Sequence, residues 1–572
     1  MLPPLFNPSA SLRALALTAA FASPLAAAPG SLDKTFNGTG SITVESPIAG
    51  NGRTVEIMRD GRIVVAGQCW KGLSTEVPVG RLLPNGAFDV AFTGGGARFL
   101  NMGYNMNRGD ATAVLPDGKI LLAGCTGEGW YAPGYLFLTR LKVDGNPDSS
   151  FQQMIRLGTK GVVAGMHVLP SGKILIGASL ASEEGSMILI RRNADGTQDT
   201  SFGNGTGFVT HDFEGIETAH AMAVQKDGKI ILAGSLQYGS DISSLVARFN
   251  ADGTLDSGGF NAQSTTPGSI RTRLHRLTDE ATSIAIQGDG KIVVAGTTQT
   301  RAEAYSDVRM FATRYTAAGT KDLSFATGGT FINDSYSHTI GQKVVVQPDG
   351  KIVLGGHLFR WEETFLYLRR LRVDGTPDPT FGSGGKVETS CGWATGESMG
   401  MALQADGRLV VSGSGNTDGS SRGGMLIARF NMLCQPDLTI RKDGSWKGNN
   451  IHNTTGSGQN VKSVIQANGG KSTVNIRIQN DGHDTDGYTL QGTAGNRHFT
   501  VRYFSKGYDV TAAVAAGTFR TKSQRTGEIS TINAEITAVT GKKGKTCRIS
   551  LRATSSADAG AKDVALIELK SK

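Results

Sequence analysis

Apolar residues alternate with small or polar ones in short stretches that recur along most of the chain. In 219–225, Met222 and Val224 stand five and three residues before an acidic turn residue, and these two positions are apolar in nearly every copy. This period-2 alternation predicts a β-strand with one buried face. An Asp-Gly turn and a run of β-forming residues follow, and this order predicts a β-hairpin.

The turn and the second strand of this hairpin form a phrase that occurs seven times. Each copy has Asp-Gly (Ser171-Gly172 in the third), a basic residue, three β-formers and a small residue. The turn glycines lie 54 to 62 residues apart, at positions 61, 118, 172, 228, 290, 350 and 407. A fixed period of this size indicates a repeat architecture.

Each repeat continues with a third strand, such as 245–249, and then with the motif D-x-x-F, such as Asp199 and Phe202. A short fourth strand follows, for example 207–210. Four short antiparallel strands in roughly 55 residues are typical of a propeller blade. The sequence therefore predicts an all-β propeller.

The two ends of the array complement each other. The seventh repeat stops at Phe430 without a D-x-x-F motif, whereas Asp33 and Phe36 supply one near the N-terminus, followed by a strand at 40–44. We therefore expect a seven-bladed β-propeller over 31–434, closed by the N-terminal strand. Closure would cover sheet edges that otherwise favour aggregation.

The phrases D-G-K-I-x-x-x-G and D-G-T-x-D-x-x-F resemble the delta-60 repeat family, which occurs in bacterial secreted and surface proteins. The resemblance extends over nearly all of 31–434, and it departs at Ser171, at Asn146-Pro147 and at the longer spacing from Asp256 to Phe260. The family is defined by its repeat. The resemblance implies an exported propeller and no shared catalytic activity.

The period ends after 434, and strand-like segments at 438–441, 472–479, 499–503, 529–539 and 547–553 follow. About seven strands in 437–572 predict an immunoglobulin-like β-sandwich. The stretch 474–482, a strand and then a turn, resembles bacterial extracellular Ig-like adaptor domains. This resemblance implies a fold and no ligand.

The net charge of +9 comes entirely from 437–572, which holds 20 basic and 11 acidic residues. A basic surface on an exported protein suggests an anionic envelope polymer or a membrane surface as partner, and a solvated charged face is the alternative. Nucleic acid is disfavoured because aromatic residues do not alternate with the basic ones. The partner is expected to be an unknown protein or polysaccharide, and the chain is expected to be a monomer.

An apolar stretch at 14–22 follows Arg13, and Ala26 to Ala28 offer an A-x-A processing site. This pattern predicts a signal peptide over 1–28 and export to the periplasm, the cell surface or the exterior; an apolar tail on a cytosolic protein is the alternative. No later apolar run is long enough for a transmembrane helix. Of five cysteines, Cys391 and Cys434 flank the last repeat and are candidates for a disulfide.

Catalytic signatures are missing. The sequence contains no nucleophile elbow, P-loop, H-E-x-x-H or C-x-x-C, so we predict no catalytic residue, cofactor or metal. The loops 193–199 and 250–256 hold several oxygen ligands that would suit calcium. Asp-Gly turn chemistry accounts for the same residues.

The most plausible binding site lies on the first strands, which line the central channel of a propeller. The position eight residues before the turn Asp (position −8) is small in six copies, as crowding at an axis would require, and position −7 varies. The predicted channel-mouth binding ring consists of Arg53, Asp110, His220, Thr282 and Gln342. Surface drift explains the variation equally well.

These observations favour a secreted or cell-surface, non-enzymatic binding or scaffold protein, with the propeller as its recognition platform. The alternative is a propeller glycoside hydrolase or polysaccharide lyase, with Asp110, Glu280 and Glu397 as candidate acid and base. Such enzymes place two carboxyl groups roughly 5–10 Å apart.

Overall fold

The computed structural model describes residues 29–44, 50–128, 135–151, 153–155, 161–180, 185–275, 277–299, 307–334, 338–360, 363–390, 399–415, 424–432, 436–447, 459–480, 486–524, 528–539, 541, 543–556 and 562–572. The predicted signal peptide, the pair Cys391 and Cys434, and Glu397 lie outside these residues. The regular secondary structure of the described chain is β-strand, apart from a single six-residue helix.

The repeats fold into units of four antiparallel strands. Within a unit, each strand pairs with the next strand in the chain. The strands of the first three units are β2 (Gly50–Ile57), β3 (Ile63–Lys71), β4 (Ser74–Leu82), β5 (Ala97–Leu100), β6 (Met106–Val114), β7 (Ile120–Gly127), β8 (Tyr135–Leu141), β9 (Gln153–Ile155), β10 (Gly161–Val168), β11 (Ile174–Leu180), β12 (Ser186–Arg192) and β13 (Phe208–His211).

The next units contain β14 (Ile216–Val224), β15 (Ile230–Tyr238), β16 (Asp241–Phe249), β17 (Ser269–Thr272), β18 (Thr278–Ile286), β19 (Ile292–Gln299), β20 (Val308–Tyr315), β21 (Thr330–Ile332), β22 (Thr339–Val346), β23 (Ile352–Arg360), β24 (Glu363–Leu371) and β25 (Lys386–Thr389). A parallel bridge between Ile242 and Thr278 joins the fourth and fifth units into one eight-stranded sheet.

The seventh phrase contributes only three strands, and the N-terminal segment supplies the fourth. These strands are β26 (Gly400–Leu403), β27 (Leu409–Gly415), β28 (Gly424–Phe430) and, from the N-terminus, β1 (Ser41–Val44). Strand β1 pairs antiparallel with β28, with Ser41 opposite Ala428. The complementary ends seen in the sequence therefore meet in one sheet.

The turn of each phrase has the chemistry that its residues predict. All seven turn glycines, Gly61 among them, have φ between 81° and 85°, a region that disfavours other residues. In each copy the side chain before the glycine accepts a hydrogen bond from the amide two residues further on. Ser171 does so with its hydroxyl, at 3.4 Å, as Asp60 does with its carboxylate, at 3.1 Å. Serine therefore preserves the turn.

An arginine that is buried, or nearly so in the case of Arg140 and Arg191, connects the third strand to the D-x-x-F motif in every unit. Its guanidinium lies 2.5–2.9 Å from the motif Asp and 4.2–4.8 Å from the centre of the motif Phe ring. The seven sets are Arg81/Asp89/Phe92, Arg140/Asp148/Phe151, Arg191/Asp199/Phe202, Arg248/Asp256/Phe260, Arg314/Asp322/Phe325, Arg370/Asp378/Phe381 and Arg429/Asp33/Phe36. Burial opposes the ionisation of each Asp, but its paired cations lower its pKa, and in every set except that of Asp256 a hydrogen bond from a neighbouring hydroxyl or amide does so too.

The same arginines also link successive units. Each donates a hydrogen bond to a backbone carbonyl in the turn after the third strand of the next unit, as Arg81 does to Val143 and Arg314 does to Val373. Arg429 of the last unit donates to Pro84 in the first. The series of contacts therefore returns to its starting unit. Apolar packing does the same, because Val410 and Met425 share a core cluster with Val65.

The remainder of the described chain forms two packed sheets. The elements of this part are β29 (Pro436–Arg441), β30 (Asn460–Ile465), β31 (Lys471–Asn480), β32 (Tyr488–Gly492), β33 (Gly495–Asn496), β34 (Phe499–Ser505), β35 (Tyr508–Asp509), α1 (Thr511–Ala516), β36 (Phe519–Arg520), β37 (Ile529–Ala538), β38 (Thr546–Ser555) and β39 (Lys562–Ser571). One sheet has the order β29-β31-β37-β34-β33, and the other β30-β39-β38-β32-β36. Residues from both sheets, such as Ile476 and Ile567, form one core.

In the described part of the chain, no helix is long and apolar enough to cross a membrane. Cys69 and Cys125 are buried on β3 and β7, and neither forms a disulfide within the described chain.

Candidate functional site

The seven innermost strands, β2, β6, β10, β14, β18, β22 and β26, surround one central cavity. Each contacts the next, and β26 contacts β2. The cavity has a volume of about 370 Å³, and all seven strands contribute to its wall. This volume lies within the range of small-molecule pockets, roughly 300–1,000 Å³.

A β-bulge occurs at the same place in six of these strands. The pairing register shifts between positions −8 and −6, for example between Gly52 and Thr54, so that Arg53 has no partner on β3. The same shift occurs in the other five pairings. Bulges redirect a side chain and bend the strand. The variable position −7 is therefore the bulged residue in these six repeats, which the sequence alone did not reveal.

The bulge explains the glycine that ends most phrases. This glycine pairs with position −8, as Gly296 pairs with Ala281. A β-carbon on Gly296 would lie 1.8 Å from the carbonyl oxygen of Glu280, and on Gly124 it would lie 2.0 Å from that of Arg108. The glycine is required by this close approach rather than by an unusual backbone angle.

The small residues at position −8 have a different cause from the one expected. A β-carbon on Gly109 would lie 2.7 Å from Val77 Cγ1, and one on Gly341 would lie 2.3 Å from the carbonyl oxygen of Gly296. Both neighbours belong to the preceding unit. The crowding therefore comes from contact between units and not from the channel axis.

Of the predicted ring, Arg53 and Asp110 line the cavity together. Arg53 Nε lies 2.9 Å from Asp110 Oδ1, and Arg108 Nε lies 2.8 Å from the same oxygen. The side chain of Asp110 is 3% exposed. The carboxylate of Asp110, on the cavity wall, thus pairs with two guanidinium groups.

The other three ring residues lie at the same level but do not line the cavity. Thr282 donates a 2.8 Å hydrogen bond to the carbonyl oxygen of Gly341 and so connects two units. Gln342 is half-buried on β22. Burial, and then the nearby positive charges of Lys343 and Arg53, lower the pKa of His220 to about 4. This histidine is neutral at physiological pH.

Two charged residues of the cavity were not predicted from the sequence. Lys343 occupies position −6, where every other repeat has a small residue or Thr, and Glu56 occupies position −4, which is usually Ala. Burial, and then the charge of Arg53, lower the pKa of Lys343 to about 8, and Asp110 opposes this. Burial raises the pKa of Glu56 to about 7. Each could have been found from the sequence, because it differs from the residues at the same position in the other repeats.

The cavity also contacts a thiol that is held in its neutral form. Cys125 Sγ donates to Asp110 Oδ2 at 3.7 Å. Burial and the adjacent Asp110 charge raise the pKa of Cys125 to about 12. A neutral thiol is a poor nucleophile, so its contribution is to hold the Asp110 carboxylate.

The acidic loops considered for calcium are engaged in local hydrogen bonds. Asp195 Oδ1 accepts from the amide and the hydroxyl of Thr197, and Asp252 bonds Thr254 in the same way. Asp199 pairs with Arg191 and Lys173. Within the described ranges no three His, Cys, Asp or Glu residues are grouped as a metal site.

The comparison with known protein families supports the presence of a β-propeller repeat. Six stretches of the chain match one family model. Its description is "Domain of unknown function (DUF5122) beta-propeller", and the stretches are 115–151, 169–202, 225–258, 287–325, 347–381 and 404–432. Each begins two residues before the turn Asp or Ser and includes the second and third strands of the repeat. These six stretches are similar to β-propeller repeats of this family. No curated protein matches the chain.

Several solved structures show a distant overall likeness. The polysaccharide lyase Uly1 is 11% identical with a TM-score of 0.40, and the match covers 67% of this chain and 90% of that one. A PL25 ulvan lyase is 10% identical with a TM-score of 0.37, covering 69% and 96%. Sqt1 of Chaetomium thermophilum is 13% identical with a TM-score of 0.36, covering 68% and 97%. These scores are too low to carry an argument about function.

Proposed function

We propose that this chain is an exported, non-enzymatic binding protein. In this proposal its repeats close into a seven-bladed propeller, and the central cavity binds a protein or glycan partner. The observation that carries it is the repeated bulge. A constant backbone feature presents position −7 in six repeats, and the residue there differs from one repeat to the next. A rigid scaffold with variable tips is the usual construction of a recognition surface.

Two observations support the closed ring. The arginine-to-carbonyl hydrogen bonds return from Arg429 to Pro84, and β26 contacts β2. For the following part of the chain, we propose an Ig-like sandwich that acts as a spacer or attachment domain. Its two sheets share one core, and its excess of basic residues would suit an anionic envelope surface.

Catalysis is the competing proposal, and one observation favours it. Glu56 has a pKa of about 7, which would suit a general acid. A glycosidase or lyase also needs a second group free to react. Asp110 accepts hydrogen bonds from Arg53 and Arg108, which favours a structural role for it, and we therefore propose binding.

The test is a glycan-array and pull-down screen with residues 29–572, in which soluble glycans are also analysed for cleavage products. The plugging variant Ala164→Trp changes a small bulge residue on the cavity wall. We expect it to abolish the binding found for the wild type, whereas Lys226→Met, on an exposed turn, should leave it unchanged. Cleavage products would overturn the non-enzymatic proposal, and unchanged binding by Ala164→Trp would exclude the cavity as the site.

A further inference from the structure

Lys343 is the only long side chain at position −6. The residues at this position in the other repeats are Thr54, Ala111, Gly165, Ala221, Ser283 and Gly400. All seven residues line the cavity. Among the described residues, Lys343 forms no ion pair or hydrogen bond. An ammonium group that is partly removed from water and has no partner carries a desolvation cost, and nothing in the propeller scaffold requires it, since six repeats do without it.

The cavity wall has an excess of positive charge. Arg53 and Lys343 line the cavity as cations together with the Asp110 carboxylate, which also pairs with a third cation, Arg108. His220 is neutral at physiological pH, and burial raises the pKa of Glu56 to about 7. The Glu56 carboxyl therefore offsets the cations only in part near neutral pH. Inside a cavity that restricts water, such an excess attracts an anion more strongly than the same charges would at an open surface.

We propose that the central cavity binds an anionic group, a carboxylate, sulfate or phosphate, on a polar molecule the size of a single sugar. Lys343 contacts the anion, and the Arg53–Asp110–Arg108 group supplies the surrounding positive field. This inference rests on the proposed binding function of the same cavity and adds the chemical class of the ligand. The cavity volume of about 370 Å³ fits one sugar-sized molecule rather than a folded partner.

The first experiment is calorimetric titration of the chain 29–572 at pH 7 and constant ionic strength with three probes: glucuronate, its uncharged relative glucose, and inorganic sulfate. We expect glucuronate to bind and glucose not to. Sulfate binding would show that the anion alone suffices, and its failure would show that the sugar ring is also recognised; both results support the site. Lys343→Met should weaken glucuronate binding at least tenfold, and Lys226→Met should not. Equal binding of glucose, no binding of either anion, or unchanged binding by Lys343→Met would overturn the inference.

The second measurement reads protons rather than affinity. Because the pKa of Lys343 is about 8, an anion bound at pH 8 should draw in about half a proton as it raises that pKa. Titration in two buffers of different ionisation enthalpy measures this uptake. Lys343→Met should remove most of it, the remainder coming from Glu56, whose pKa is about 7, while circular dichroism shows an intact fold. No proton uptake by the wild type would exclude Lys343 as the contact.

The two proposals fail in different ways. If a neutral glycan from the screen binds and Ala164→Trp abolishes that binding, the cavity is a binding site and only the anionic class is wrong. If Ala164→Trp leaves every interaction unchanged, the proposed function fails as well.

Discussion

At the scale of single residues, the cavity contains groups that destabilise the fold. Lys343 and Glu56 are both charged side chains on first strands whose equivalents are mostly small and apolar. Their pKa values shift in the directions that burial dictates, downwards for Lys343 and upwards for Glu56. Destabilising groups at a recognition site are a common compromise between stability and function.

Lys343→Met should therefore stabilise the protein near pH 7. The pKa of Lys343 is about 8 in the folded chain and 10.5 in the reference state, so the unfolded chain holds this proton more tightly. The penalty is complete below pH 8 and disappears as the pH rises towards 10.5. We expect a gain of about 1–3 kcal/mol at pH 7 that vanishes near pH 10.5. Urea unfolding of the variant and of Lys226→Met measures it, and an unchanged or lower stability at pH 7 would contradict it.

Glu56→Gln should show the opposite dependence on pH. The pKa of Glu56 is raised to about 7, so its carboxyl destabilises the fold progressively as the pH rises from about 4.5 to 7. The variant should be more stable than the wild type at pH 8 and equal to it below about pH 4.5. Urea midpoints at pH 4.5 and pH 8 give the comparison. A constant difference at both pH values would show that Glu56 does not titrate in this range.

At the scale of the repeat element, the bulge and the buried arginine determine which residues recur. Gly296→Ala would bring a methyl group against the carbonyl oxygen of Glu280. We expect it to cost about 1–3 kcal/mol in unfolding free energy, since the third repeat has Ala178 at this place and the sheet can adjust. Gly288→Ala is the matched control, because nothing lies within 4 Å of its added carbon. Equal stability of the two variants would contradict the steric explanation.

Arg314→Ala removes the buried arginine of one repeat. It would leave Asp322, whose pKa is lowered to about 2 by Ser324 and neighbouring cations, without its main partner, and would break the link to Val373 in the next unit. We expect a loss of about 3–5 kcal/mol, the usual effect of breaking a buried ion pair. Arg372→Ala, at an exposed position close by, should change stability by less than about 0.5 kcal/mol. Thermal and urea unfolding distinguish them.

At the scale of the whole molecule, the N-terminal strand joins the two ends of the array. A chain that begins at Gly50 lacks β1 and Asp33, so it exposes the edge of β28 and leaves Arg429 without its carboxylate. We expect this chain to aggregate in size-exclusion chromatography, because open strand edges pair with other chains. A peptide of residues 29–44 should restore the monomer, and a scrambled peptide should not. A stable monomer without the peptide would show that this closure is dispensable.

Much of the repeat unit could be predicted from the residues themselves. Turn glycines, Asp or Ser caps and period-2 alternation are local features, and each appears where the sequence places it. The arginine that precedes the motif Asp by eight residues, as Arg248 precedes Asp256, was equally visible as a pattern. Its role was not, because the ion pair and the contact with Ala317 in the next unit form only when strands and units pack.

In the second part of the chain, the strongly alternating strands such as β31 and β37 match the predicted segments 472–479 and 529–539 within one residue. β30 and β39 were not among the predicted segments. They pair in parallel although about a hundred residues separate them, and such pairing leaves no hairpin signature in the sequence.

The β-class, the repeat, its turns and the complementary ends follow from the residues alone, because these features depend on backbone angles and on neighbours within a few residues. What the variable positions do depends on how the strands and units pack. The tertiary structure shows that position −7 is a bulge, that Thr282 binds the next unit while Arg53 faces the cavity, and that Lys343 and Arg53, 290 residues apart in the chain, act on each other's charge. The reason is physical: a bulge is a property of two paired strands, and a central cavity exists only when all the units enclose it.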